Sequence, residues 1–253
     1  MRYQDINAYI FDRWAEEGWQ SSRPLNHQNY QNAVLGNWQI RLTPGRYVPR
    51  DWFPPLQGLQ VLGLASGGGQ QMPVFAAQSA VCTVLDYSEK QLENDRLVAQ
   101  REHYEIRAIR ADMSQPLPFE DESFDLIFHP LSNCYIRDVE QVWQECWRIL
   151  KPGGLLMSGL DNGINFIFGE DQQTVEFRLP FDPLWNPEQM DYLEAHDLGI
   201  QFSHPIEEQI GGQLRAGFIL KDIYEDTNGS GFLHEHGVPT FWATLSQKPA
   251  GRT

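Results

Sequence analysis

A chain of 253 residues, 41% of them hydrophobic, has room for one α/β domain with a substantial core and would cramp two. No apolar run approaches the roughly 20 residues that cross a bilayer, and Met1-Arg2-Tyr3-Gln4-Asp5 lacks the apolar stretch of a signal peptide, which predicts a cytoplasmic protein without a membrane partner. The formal charge of −15 repels polyanions and supplies no basic stripe, which argues against nucleic acid and favours a neutral or cationic small-molecule substrate.

Ile6, Tyr9, Ile10 and Trp14 recur at helical spacing and predict an amphipathic helix from about Asp5 to Trp19, leading into an aromatic segment rich in Asn and Gln. Pro54-Pro55 breaks the chain, so residues 1–55 form an N-terminal helical and aromatic extension. From Leu59 onward apolar runs alternate with helical patterns: 59–64, 81–85, 106–109, 124–128 and 155–159 are expected to be buried strands. Such alternation builds a parallel sheet with helices on both faces.

Ser88 with Gln91 marks a helix start directly after Asp86, and Asp138 with Gln141 marks another. Val139, Val142, Trp143, Cys146, Trp147 and Leu150 form the apolar stripe of that second helix, with Lys151-Pro152-Gly153-Gly154 as its stop. Between Asp161 and about Gln201 the alternation lapses into a stretch rich in Phe, Trp, Pro and acids, which reads as an inserted cap. Helical patterning returns over 205–216, and 217–225 and 240–246 read as two last strands joined by a polar loop containing Asn228-Gly229-Ser230-Gly231. Cys82, Cys134 and Cys146 lack metal-ligand spacing and are expected to be reduced thiols.

Val61-Leu62-Gly63-Leu64-Ala65-Ser66-Gly67-Gly68-Gly69-Gln70 is a strand entering a Gly-rich turn ahead of a helix. Glycine there lets a ligand approach the backbone, and a helix start offers amide N–H groups to a polar or anionic group. Such a turn alone is equally an ordinary strand-to-helix connection. The next strand, however, ends in Asp86, less than about 20 residues past the glycines, where a nucleotide ribose sits in folds of this kind.

A third strand leads to Ala111-Asp112-Met113. From Asp112 the chain continues through Pro118-Phe119-x-Asp121-x-Ser123-Phe124-Asp125-Leu126-Ile127 and later Arg148-Ile149-Leu150-Lys151-Pro152-Gly153-Gly154. Over roughly Leu59 to Leu160 the chain thereby resembles the class I S-adenosylmethionine-dependent methyltransferases. The resemblance implies an α/β, Rossmann-like, seven-stranded, mostly parallel sheet in a single domain spanning 1–253. Within it, 1–55 is a helical lid, 56–160 the cofactor-binding half, 161–202 the cap and 203–253 a terminal helix and strands. It further implies S-adenosyl-L-methionine as cofactor, S-adenosyl-L-homocysteine as product and direct in-line methyl transfer to a small-molecule acceptor.

Residue by residue, the resemblance places Ala65, Ser66, Gly67 and Gly69 against the methionine part of the cofactor and Asp86 on the ribose. Tyr87 would lie beside the adenine, the Asp112 carboxylate on its amino group and the Met113 N–H on a ring nitrogen. His129 would border the sulfonium and the acceptor as a candidate catalytic base, with a structural histidine capping the strand as the equal alternative, and Cys134 and Tyr135 would stand on the pocket wall. The same topology would turn Tyr224, Glu225, Asp226, His234 and His236 toward the acceptor. Trp14, Trp19, Phe166, Phe168, Phe181 and Trp185 are candidate lid aromatics, although core packing explains them equally well. His234-Glu235-His236 has no third ligand in spacing, so no metal is expected.

Two positions depart from the family: an acid is usual where Gly63 stands, and a glycine where Ala65 stands. Ala65 is a small change at negative φ; the missing carboxylate removes an indirect contact to the methionyl end, so that either affinity is lower or another acid substitutes. A dehydrogenase with the same strand and turn would need its third glycine at Met72. The remaining alternatives are a catalytically silent binding protein and an enzyme that modifies the cofactor without transferring methyl.

Overall fold

In the computed structural model, which describes residues 2–19 and 22–251, the elements follow in the order α1 (Tyr3–Glu16), α2 (His27–Val34), β1 (Gln60–Leu64), α3 (Met72–Ala77), β2 (Val81–Asp86), α4 (Glu89–Glu102), β3 (Ile106–Arg110), β4 (Phe124–His129), α5 (Glu140–Ile149), β5 (Leu150–Asp161), α6 (Pro187–Ala195), α7 (Ile206–Ala216), β6 (Ile219–Asp226), α8 (Gly231–Glu235) and β7 (Phe241–Gln247). The strands form one sheet in the order β3-β2-β1-β4-β5-β7-β6. The first five run parallel, and β7 is antiparallel to both β5 and β6. The mostly parallel, seven-stranded α/β architecture is therefore present.

Period-two alternation sends successive apolar side chains of a central strand to opposite faces. Val61, Val84, Leu126 and Phe128 join one core with Phe75, Leu92 and Trp52. Leu62, Leu64, Leu85 and Ile127 join the other, under Trp143, Cys146 and Ile149 of α5. Both faces of the sheet are thus covered, as a parallel sheet requires.

Three short helices escaped the periodicity. α2 lies in the Asn- and Gln-rich segment, where the Asn26 side chain caps it by accepting from the Asn29 N–H. α6 lies inside the expected cap segment, with Asn186 as N-cap and Pro187 at its first position. α8 occupies the loop before β7. The Ser88 cap is present and accepts from the Gln91 N–H. α5 instead starts after Val139 without a side-chain cap, while Asp138 Oδ1 accepts from the Glu140 N–H. Its stop is also different: Lys151-Pro152-Gly153-Gly154 belongs to β5, which begins directly at Leu150 and is irregular against β4.

Residues 41–44 cross the carboxyl end of the sheet. The Leu42 carbonyl accepts from the Leu131 N–H at 3.0 Å, and a side chain at Gly159 would fall on that same carbonyl. Among the described residues, no helix is long and apolar enough to cross a membrane.

Candidate active site

The strand order reverses between β1 and β4, and ligands of open α/β sheets bind in the crevice outside the carboxyl ends of the strands at such a point. A cleft of about 810 Å³ lies there. One half is walled by Ala65, Ser66 and Gly67, by Asp86, Tyr87 and Gln91, and by Asp112 and Met113. The other half is walled by Asn7 and Phe11 of α1, by residues 41–44, by the loop after β4 and by Asn228–Ser230.

The turn after β1 is built by carboxylates from outside it. Asp86 Oδ2 accepts from the Gly67 N–H at 2.9 Å, and Oδ1 accepts from the Ser88 N–H at 2.9 Å. Burial pushes this carboxyl up, and those backbone N–H groups oppose the shift. Gly67 must be glycine, because a Cβ would stand 2.7 Å from Gln91 Cβ and 2.9 Å from Asp86 Oδ2. Ala65 does not keep the expected negative φ; it takes φ +47°, the region that favours glycine, at a cost of roughly 1–2 kcal/mol. Its N–H donates to the Leu85 carbonyl at 2.8 Å, which holds it there.

Gly63 has a local explanation. A Cβ at that position would stand 2.8 Å from Met72 Cε and 2.9 Å from its Sδ, so the fully buried Met72 fills the space where an acidic side chain would begin. Asp95 on α4 places a carboxyl group on the other side, accepting from the Gly68 N–H at 3.0 Å. Gly69 faces away from the cleft, with φ +68° and the Asn94 carbonyl 2.8 Å from where its Cβ would be. Its glycine serves packing on α4.

Burial raises Asp95 from 3.8 to about 8 against the pull of the Gly69 and Gly68 N–H groups. The native state therefore binds this proton more tightly than the unfolded chain, and stability falls as pH rises from about 4 to about 8. Asp95→Asn is expected to remove that slope. Urea titrations at several pH values should show the variant gaining on the parent by a few kcal/mol between mildly acidic and mildly basic buffer; parallel profiles would contradict the assignment.

Asp112 Oδ1 accepts from Ser114 N and Oγ at 2.9 and 2.6 Å, whereas Oδ2 is buried without a hydrogen-bond partner. Arg2 Nη1 stands 3.7 Å from that oxygen. Tyr87 donates its hydroxyl to Asp5 Oδ1 at 2.9 Å and accepts from Arg2, so α1 is latched across this half. Asn7 fastens the same helix by pairing with both backbone groups of Ile200, at 3.0 and 2.7 Å.

His129 is not at the cleft. It is fully buried, with Nδ1 2.9 Å from the Leu64 carbonyl and Nε2 2.7 Å from Asn133 Oδ1, and burial pushes its pKa down. Asn133 Nδ2 donates to Gln209 Oε1 at 2.9 Å, and Gln209 Nε2 to Asp161 Oδ2 at 3.3 Å. Burial raises Asp161 to about 6. This chain of side chains ties the loop after β4 to α7 and β5.

Cys134 and Tyr135 line the wall, and burial pushes both well up. Phe11 packs edge-on against Tyr135 at 4.8 Å and against Trp14 at 5.3 Å, and Trp14 meets Trp19 at 5.0 Å. Phe11 and Trp19 line the cleft, but no residue of 161–202 does. Phe166 and Phe181 pack on each other at 5.2 Å, Phe168 forms a bridge with Val175, and Trp185 lies exposed under the Arg137 guanidinium. The aromatic cover therefore comes from the N-terminal side.

None of Tyr224, Glu225, Asp226, His234 and His236 lines the cleft either. Asp226 Oδ2 accepts from the N–H groups of Gly45 and Arg46, Tyr224 packs on Trp52, His234 meets Thr227 Oγ1 and His236 stacks on Phe232. The three residues that reach the cleft from this side, Asn228, Gly229 and Ser230, were legible only as a loop. Arg41, Thr43 and Asp95 carried no signal, because each acts through a contact distant in sequence, and Gln91 was legible only as part of a helix start.

The family described as "Methyltransferase domain" matches residues 62–158. An uncharacterized methyltransferase of Bacillus subtilis (strain 168), YbaJ, is 41% identical over 249 residues, covering 96% of this chain and 97% of its own. Among solved structures, an S-adenosylmethionine-dependent methyltransferase from Mesorhizobium loti aligns with a TM-score of 0.61 at 20% identity, over 78% of this chain and 94% of its own. The [4+2]-cyclase SpnF aligns with a TM-score of 0.59 at 16% identity, over 99% of this chain and 98% of its own. Both structural likenesses are at the level of fold.

Proposed function

The chain belongs to the class I S-adenosylmethionine-dependent methyltransferases, and we propose that the acceptor of its methyl transfer is a small molecule bound in the same cleft. One observation carries this reading: a single cleft of about 810 Å³ joins the Asp86 and Asp112 half to the loop after β4, with α1 across it. That is the scale of small-molecule sites.

The residues fit the cofactor. Gly67 leaves the space that a Cβ would fill, and Asp112 Oδ2 and Gln91 Oε1 are buried acceptors without a hydrogen-bond donor among the described residues. Asp86 would accept from the ribose hydroxyls, Asp112 from the adenine amino group, and the Met113 N–H would meet a ring nitrogen beside Tyr87. Ala65, Ser66 and Gly67 would border the methionyl part. When bound, the cofactor supplies a methyl group already activated on a sulfonium. What the chain adds is alignment in line with the nucleophile, an orientation effect worth several kcal/mol.

Among the described residues, no side chain lining the acceptor half is a base at neutral pH. Cys134 and Tyr135 are pushed up, and His129 has both ring nitrogens engaged away from the cleft. The acceptor therefore brings a nucleophile that needs no deprotonation by the protein.

Calorimetry of the purified chain is the test, with S-adenosylmethionine and its demethylated product titrated separately. Saturable heat with both is expected, and silence from both at millimolar concentration defeats the reading. His129→Gln should lower Tm while leaving affinity for the product within about threefold, a change below 1 kcal/mol. A residue bordering the sulfonium would not behave so.

A further inference from the structure

Resting on that reading of the cleft, we propose that the acceptor is a small organic carboxylate with a flat, apolar body, and that Arg41 receives its charge. The chain holds 34 Asp and Glu against 19 Lys and Arg, so an unselected wall should be acidic. Among the described residues lining the cleft the only acids are Asp86 and Asp112, both in the cofactor half, and the only cation is Arg41. The acceptor half of a strongly acidic protein thus carries one charge, and it is positive.

That charge is unspent inside the protein. The Arg41 guanidinium lies 4.1 Å from the Tyr47 ring centroid, and among the described residues no carboxylate forms an ion pair with it. Arg41 and Tyr47 are both exposed, and a guanidinium over a ring keeps N–H groups that can meet a carboxylate through two parallel hydrogen bonds. The backbone beneath is fixed as well: Arg41 is bridged to Tyr47, and its neighbour Leu42 is bonded to Leu131. Two residues on, Thr43 is 2% exposed and lines the cleft, with its buried hydroxyl turned to that of Tyr224.

Phe11, Trp19 and Tyr135 bring aromatic rings to the wall and suit a planar body. A single guanidinium matches a monoanion, whereas a phosphate dianion calls for several donors. This reverses the charge expected from composition alone. The net field of the protein is screened beyond about 8 Å at physiological ionic strength, while the bound ligand meets the local wall.

The test uses the full-length protein saturated with S-adenosylhomocysteine and two matched pairs of probes, 2-naphthoate with 2-naphthamide and phenylacetate with phenylacetamide. Calorimetry should show at least one acid binding about tenfold more tightly than its amide, the size of one charge-assisted bond. Arg41→Gln should erase the preference and Arg41→Lys should keep part of it, with affinity for S-adenosylhomocysteine serving as the control for folding in each variant. An acid no tighter than its amide, a preference that survives Arg41→Gln, or no acid binding at millimolar concentration each overturns the assignment. If the parent fails to bind S-adenosylhomocysteine, the functional reading itself falls; if it binds and acids are not preferred, only the carboxylate is wrong.

Discussion

Asp86→Ala is expected to cut affinity for S-adenosylmethionine and its product by about a hundredfold in a calorimetric titration. Two charge-assisted hydrogen bonds to a ribose diol are lost, each worth about 1.5–3 kcal/mol, and a hundredfold is the lower end of that sum. The carboxylate also orders the turn, since it accepts from the N–H groups of Gly67 and Ser88. Asp86→Asn keeps an accepting oxygen and loses the charge, so it should fall between the parent and the alanine variant. An alanine variant that folds and binds within threefold of the parent would remove the ribose from this position.

Gly159→Ala is expected to cause the largest loss of stability of any single methyl addition in the sheet. The new methyl would overlap the Leu42 carbonyl oxygen, a backbone atom already fixed by the Leu131 N–H. No flexible side chain is there to yield. Overpacking of this kind costs about 3 kcal/mol, which for a chain of this size lowers Tm by roughly 6–12 °C. Calorimetric melting checks it, and a shift of under two degrees would mean that residues 41–44 can lift from β5 freely.

The strands and the two principal helices of the cofactor half were legible because continuous apolar runs such as Val61–Leu64 and Cys82–Leu85 are buried on both faces and bounded by turn residues. Asp86 and Asp112 were legible for a related reason: an acid at the tip of a buried strand has few structural excuses. His129 was misplaced because a strand-end position constrains where the Cα lies and not which way the ring turns, and here burial and Asn133 decide that. The φ of Ala65 was likewise invisible, because only the bond from its N–H to Leu85 on the next strand shows what holds it. The acceptor wall was least legible. Arg41 and Thr43 reach the cleft through a segment without periodicity, and the 161–202 aromatics that looked like a lid satisfy one another instead.

The line of side chains from His129 to Asp161 has one more property. With the amides oriented as described, His129 must donate at both nitrogens and Asp161 must be a carboxylate. Rotating the Asn133 and Gln209 amides by half a turn gives a neutral imidazole at one end and a carboxylic acid at the other, and every hydrogen bond is again made. Both arrangements hold the same number of protons, so solvent need neither give nor take one. Burial disfavours charge at each end, and so favours the uncharged polarity over the charged one. The loop behind the acceptor is thus held by a wire that can reverse its direction without changing its net charge.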